Sequence, residues 1–153
     1  MQKDTTKATG KVTFKLLDKD GNVKEERTIP NLVVNIGLSV IANRLHTSAT
    51  DGAMSHMGVG TSSTAAAAAQ TDLIAITGPR RALTSQTIVT ETITDDSIDY
   101  VGTFPAGAST GALVEAGIFN ALTVGQMLAR TTFGVINKAA SDSLIITWRI
   151  TLS

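Results

Sequence analysis

Leu144-Ile145-Ile146-Thr147-Trp148-Arg149-Ile150-Thr151-Leu152 decides the fold class of this chain. Leu144, Ile146, Trp148, Ile150 and Leu152 fall on one side of an alternating pattern, and Thr147, Arg149 and Thr151 on the other. Successive side chains of a strand point to opposite faces, whereas a helix repeats about every 3.6 residues. The segment therefore reads as a β-strand with one face in a core, and its apolar weight places it in the interior of a sheet.

The same period recurs upstream. Met127, Ala129, Thr131, Phe133 and Val135 alternate, as do Val114, Ala116 and Ile118 against Leu113, Glu115 and Phe119. Residues 82–94 and 98–104 are rich in Thr, Ile and Val and are separated by Asp95-Asp96. Small and polar residues at 105–111, 120–125 and 137–142 read as turns. Residues 55–59 form a short strand closed by Gly58 and Gly60. Near the start, Val12, Phe14 and Leu16 alternate with Lys11, Thr13 and Lys15, and Asp18-Lys19-Asp20-Gly21-Asn22 supplies turn residues. Residues 11–29 thus form a hairpin whose second strand is highly charged, which blunts an edge.

One helix is expected, over residues 35–45. Leu38, Ile41, Ala42 and Leu45 have the spacing of a single apolar stripe, Asn35 stands as N-cap and Arg44 suits the C-terminal end of the dipole. Residues 61–78, with five consecutive alanines at 65–69, read as a long excursion containing one helical turn. Seven or eight strands and a helix predict a mainly β chain: an antiparallel β-sandwich or jelly-roll-like domain over residues 11–153, preceded by a polar arm at residues 1–10.

Composition bounds the function. The chain has 153 residues, 42% hydrophobic and 17% charged, which suits one globular domain with a sizeable core. Lys plus Arg and Asp plus Glu both number 13, so the basic excess of a nucleic-acid binder is missing. Cysteine is absent, which removes disulfides and thiolate metal sites. The opening residues lack a signal peptide's apolar core, and no apolar run approaches the roughly 20 residues that span a bilayer. The expectation is a soluble protein with no membrane partner.

Each polar cluster has a structural reading that outweighs the chemical one. Asp18-Lys19-Asp20-Gly21-Asn22 begins like a calcium loop, but Val23 holds the sixth position, which needs Gly, and Ile29 the twelfth, which needs Glu. Asp95, Asp96 and Asp99 provide too few oxygens for calcium. His46 and His56 lie in or beside polar loops without a nucleophile motif. Gly58-Val59-Gly60 lacks the lysine and spacing of a phosphate loop. Glu91 and Glu115 show no pairing of the kind a glycosidase uses, and Trp148 belongs to a core strand rather than a sugar platform. Arg80-Arg81 is the one basic pair and suits an ion pair between subunits. The sequence assigns no catalytic, cofactor-binding or metal-ligating residue, and no cofactor or small-molecule substrate.

Three segments carry a family resemblance. They are Asn31-Leu32-Val33-Val34-Asn35-Ile36-Gly37-Leu38; Met57-Gly58-Val59-Gly60-Thr61-Ser62-Ser63-Thr64-Ala65 with Thr71-Asp72-Leu73 and Arg80-Arg81; and Glu115-Ala116-Gly117-Ile118-Phe119-Asn120-Ala121 with Gln126-Met127-Leu128-Ala129-Arg130. In order and spacing they resemble small virion proteins of tailed bacteriophages, comprising capsid cement or decoration proteins and tail-fibre or tail-tip proteins. The resemblance implies a β-rich, non-enzymatic module located in the virion after assembly in the host cytoplasm. Its implied partners are the major capsid protein and further copies of itself. A tail, baseplate or tail-fibre component is the alternative role, and a carbohydrate-binding domain a third.

Overall fold

The computed structural model describes residues 4–153. Among them the chain is mainly β, with nine antiparallel strands and one helix. The elements are β1 (Ala8–Leu17), β2 (Val23–Pro30), β3 (Leu32–Val33), α1 (Asn35–Arg44), β4 (His56–Gly60), β5 (Arg81–Val89), β6 (Ser97–Phe104), β7 (Gly111–Phe119), β8 (Met127–Lys138) and β9 (Ser143–Leu152).

β9 lies between β1 and β6, as its apolar alternation requires. Val12 and Tyr100 flank Trp148, Phe14 and Gly102 flank Ile146, and Leu144 sits between Leu16 and Phe104. These side chains form the inner face of one layer, β2-β1-β9-β6-β5. The second layer, β4-β7-β8-β3, contributes Met57, Val59, Leu113, Ala116, Ile118, Leu128 and Ile136 to the same core. The layers join on one side where His56 and Met57 of β4 pair with Ala82 and Arg81 of β5. On the other, the chain crosses from β2 to β3 at Pro30-Asn31, where Asn31 N–H donates to the Gly10 carbonyl at 3.2 Å. The result is a nearly closed, sandwich-like barrel.

The first hairpin forms as its composition dictates. Asp18 accepts the amides of Asp20 (2.8 Å) and Asn22 (2.9 Å), and Gly21 takes a φ of +83° that glycine adopts without strain. Strand pairing begins earlier than expected, however. Ala8, Thr9 and Gly10 belong to β1, opposite Leu152, Thr151 and Ile150. Only residues 4–7 of the described part of the arm precede the strand, and Lys7 still exchanges backbone hydrogen bonds with Ser153. Residues 1–3 of that arm lie outside the described residues.

The helix forms where expected but presents a different face. Leu38 is 48% and Leu45 84% exposed, while Gly37 and Val40 are buried. Gly37 is the cause. A Cβ there would stand 2.1 Å from the Leu128 carbonyl oxygen, so the backbones of α1 and β8 meet at this point. That approach turns positions 37, 40 and 41 inward, an i, i+3, i+4 stripe one residue out of phase with the expected one. The N-cap is Val34, not Asn35, and no side chain caps the helix there. Residues 61–78 contain no helix; the alanine run is irregular except for a turn at Ala68-Ala69. β5 ends at Val89, short of Thr94.

Two substitutions test this packing. Trp148 is fully buried, so Trp148→Ala should cost about 3–5 kcal/mol in chemical denaturation, as large-to-small core changes do. Gly37→Ala should also destabilise. In an unobstructed helix the same change stabilises by roughly 0.5–1 kcal/mol, so the sign of its effect on the melting temperature reports the contact with β8.

Candidate functional site

The most elaborate polar construction in the molecule holds residues 61–78 against the outer face of β7 and β8. Glu115 on β7 and Arg130 on β8 are both completely buried. Arg130 donates from Nη2 (2.8 Å) and Nε (3.1 Å) to Glu115 Oε2. A buried ion pair is worthwhile only when its remaining donors and acceptors are satisfied. Here the loop satisfies them. Glu115 accepts the backbone amides of Ala75 (2.7 Å) and Ile74 (3.1 Å), and more weakly that of Ser62 (3.4 Å). Arg130 Nη1 donates to the Thr64 carbonyl (2.9 Å) and to Gln70 Oε1 (3.0 Å). The Gln70 amide group in turn donates to the Ala65 carbonyl. Gly60 leaves room for the approach: a Cβ there would meet the Ala75 carbonyl at 2.3 Å.

Further bonds pin the loop at its edges. Thr61 N–H donates to Ala75 O (2.9 Å), Thr77 N–H to Val59 O (2.8 Å) and Asn35 N–H to Ala68 O (2.8 Å). Leu73, Val34, Phe119 and Met127 make a small separate core beneath it. The covering is thus pinned by hydrogen bonds, and it presents exposed alanine, serine and threonine together with Ile74 (51% exposed) and Ile76 (46%).

Arg80 fixes the neighbouring turn. Its guanidinium stacks on the Phe119 ring at 3.5 Å and donates to the carbonyls of Ala121 (3.1 Å) and Val124 (2.6 Å) and to Asp72 (2.9 Å). It is buried within its own chain, which corrects the expectation of an ion pair between subunits for this member of the Arg80-Arg81 pair. The contacts hold Val124 at a φ of +57°, a conformation unfavourable for a β-branched residue, with its side chain 87% exposed.

The remaining polar clusters separate. Asp96 accepts the amides of Ile93 (2.7 Å), Glu91 (2.9 Å) and Thr92 (3.0 Å), closing the β5–β6 loop. Asp99 instead pairs with Arg149 at 2.6 Å. Glu91 bridges Lys11 and Arg149, so Glu91 and Glu115 each have cationic partners in different parts of the fold. His46 accepts the Ser48 amide and His56 contacts the Ser55 hydroxyl. Among the described residues no three His, Asp or Glu side chains converge as a metal site requires. Lys138 and Asp142 are buried too. Lys138 donates to the Pro105 carbonyl at 3.0 Å, and Asp142 accepts from Lys24 (2.7 Å) and the Ala139 amide.

No protein-family model, curated protein or solved structure matches this chain.

Removing one member of a buried pair strands the other. Arg130→Met should cost about 3–5 kcal/mol and open residues 61–78 to limited proteolysis, while adding Glu115→Gln to it should recover part of that loss. Acid should weaken the fold by a separate route. The backbone amides of Ile93 and Glu91 hold the Asp96 carboxyl well below its ordinary value, and the hydrogen bond from Lys24 lowers that of Asp142. A depressed carboxyl stabilises fully above its unfolded pKa and loses that contribution as pH falls. The melting temperature should therefore drop below about pH 4. Asp96→Asn should melt lower at neutral pH but show a smaller acid-induced drop.

Proposed function

We propose that this protein is a non-enzymatic structural component of a tailed-phage virion, a cement or decoration protein that binds across major capsid subunits and stabilises the head. The observation that carries this reading is the hydrogen-bonded display of residues 61–78. Several of the buried charges serve that display: Glu115 and Arg130 anchor the loop, and Arg80 anchors the turn beside it. Small side chains lose little entropy on docking, and a preformed surface avoids the cost of ordering a loop.

The segments that resemble virion proteins coincide with this construction. Residues 31–38 lead into the helix beneath Ala68, residues 57–65 run from β4 into the loop, and residues 115–121 and 126–130 contain both members of the clamp. A near-neutral chain gains little from long-range charge attraction, so shape and apolar burial dominate its affinity. Contacts with several subunits then stabilise a shell by making later contacts intramolecular. The sugar-binding reading is weaker, because Trp148, Phe14, Phe104 and Phe119 are all buried rather than arrayed on the surface.

The test adds purified protein to phage particles lacking it and images labelled particles. Saturable occupancy on heads, with a raised particle melting temperature, is expected. Ile74→Asp combined with Ile76→Asp should weaken attachment about tenfold or more, equivalent to about 1.4 kcal/mol, while leaving the isolated protein's melting nearly unchanged. Label confined to tails would favour the tail or baseplate role instead. Absence of attachment to either would sink the virion reading.

A further inference from the structure

β5 stands inside the strand order, yet most of its length has a neighbour on one side only. β4 pairs with it at Arg81 and Ala82, and Leu83 N–H reaches the Ser55 carbonyl at 2.8 Å. Beyond that point the chain before β4 peels away toward α1. β6 continues to pair with β5 as far as Val89. Among the described residues no backbone hydrogen bond reaches the other edge of residues 84–89. An open edge of this kind is a template for another strand.

Its chemistry contrasts with the end of the same layer. β2 carries Lys24, Glu25, Glu26 and Arg27 and ends in Pro30, features that discourage pairing. β3, at the other end of the strand order, has two residues. Residues 84–89 read Thr-Ser-Gln-Thr-Ile-Val, with no charge and no proline. Positions on both faces are open, since residues 84–88 are all exposed. Beside this edge runs a groove of about 420 Å³ whose lining includes Ile41, Leu45, Gln86, Ile88, Tyr100 and Leu152. Three of its apolar walls stand largely in solvent: Leu45 at 84%, Ile88 at 54% and Leu152 at 43% exposed.

We infer that the open edge of β5 pairs antiparallel with the same edge of a second copy of this chain, joining two molecules about a two-fold axis. Three observations favour a copy over a foreign strand. The edge is uncharged, so it opposes itself without repulsion, and the whole chain carries 13 basic and 13 acidic residues, which leaves no net charge to hold copies apart. The pairing is self-complementary: an axis at Gln86 sets Gln86 opposite its own copy, Ser85 opposite Thr87 and Thr84 opposite Ile88, each of the last two twice over. It also closes, because a two-fold contact consumes this edge on both molecules while β2 is charged and β3 too short to propagate the sheet. Ile88 and the groove beside it become covered in the same step. The pair requires no capsid and stands apart from the proposed virion role.

Sedimentation and light scattering on the full chain across a concentration series test this directly. A monomer–dimer equilibrium is expected, with amides on the outer edge of residues 84–89 protected from hydrogen exchange in the dimer and exposed in the monomer. Gln86→Lys combined with Thr87→Lys sets Lys at 86 opposite its own copy on the axis, with a second like charge beside it, and should weaken the dimer at least about tenfold. Thr28→Lys, on the charged β2 edge, should leave it intact. Circular dichroism and melting of each variant establish that the monomer remains folded; should the double variant unfold, Gln86→Lys alone still sets like charges opposite each other and provides the same readout. A wild-type protein that stays monomeric at every concentration, or a dimer that survives lysine at these positions with the same protection pattern, overturns the inference. A monomer that instead protects residues 84–89 only when another protein is added also overturns it and assigns the edge to a foreign strand.

Discussion

The buried Glu115–Arg130 pair constrains more of this molecule than any other interaction. Two charges removed from water demand a full complement of partners, and strands β7 and β8 cannot supply them because their backbone groups are engaged in the ladder. Residues 61–78 supply them instead, through two amides at short range, a third more distant amide, a carbonyl and the Gln70 side chain. The need to satisfy those groups explains why a stretch of alanine, serine and threonine with no apolar periodicity takes one defined path. It also explains why Gly60 lies where the loop crosses β4, since any side chain would collide with the Ala75 carbonyl.

Around that clamp the molecule divides its labour between two layers. The layer centred on β9 is stabilised by apolar burial, with Trp148 between Val12 and Tyr100 and charge on its inner face at the β2 edge, where Arg27 and Glu25 lie opposite Phe14 and Leu16. The layer centred on β7 is apolar toward the core and ionic on its covered outer face. Such an arrangement separates folding from presentation. Hydrophobic contact between the layers sets the fold, while directional hydrogen bonds set the geometry of what lies outside it. Arg80 extends the second principle, using stacking and three hydrogen bonds to hold an exposed turn in an otherwise unfavourable conformation.

The buried charges share one use within the fold. Arg80, Glu115, Arg130, Lys138 and Asp142 are buried and bonded to loops or turns of the same chain. Their work is architectural. Ile74, Ile76, Leu122, Val124 and Ile88 are exposed apolar groups on loops and on the open strand edge. Surfaces built in this way suit contact with other proteins.

The sequence by itself determined eight of the nine strands to within a few residues, the first hairpin, the existence of the helix and the burial of Trp148, but not the two-residue β3. Each rests on a local period or on turn residues whose preferences act within a few positions. Tertiary structure decided the rest. The helix turned a different face inward because Gly37 meets the Leu128 backbone, a contact between residues far apart in the chain. Pairing of Glu115 with Arg130 had only a faint signal, one charge inside each of two apolar-alternating strands, and the register of β7 against β8 was needed to bring them together. Arg80 looked like a surface cation because its partners, Asp72, Phe119 and the carbonyls at 121 and 124, come from three separate segments. The open edge of β5 was invisible for the same reason, since whether a strand has a second neighbour depends on where the chain before β4 turns away. Periodicity is a property of neighbours in sequence, whereas charge pairing, close backbone approach and edge exposure are properties of neighbours in space.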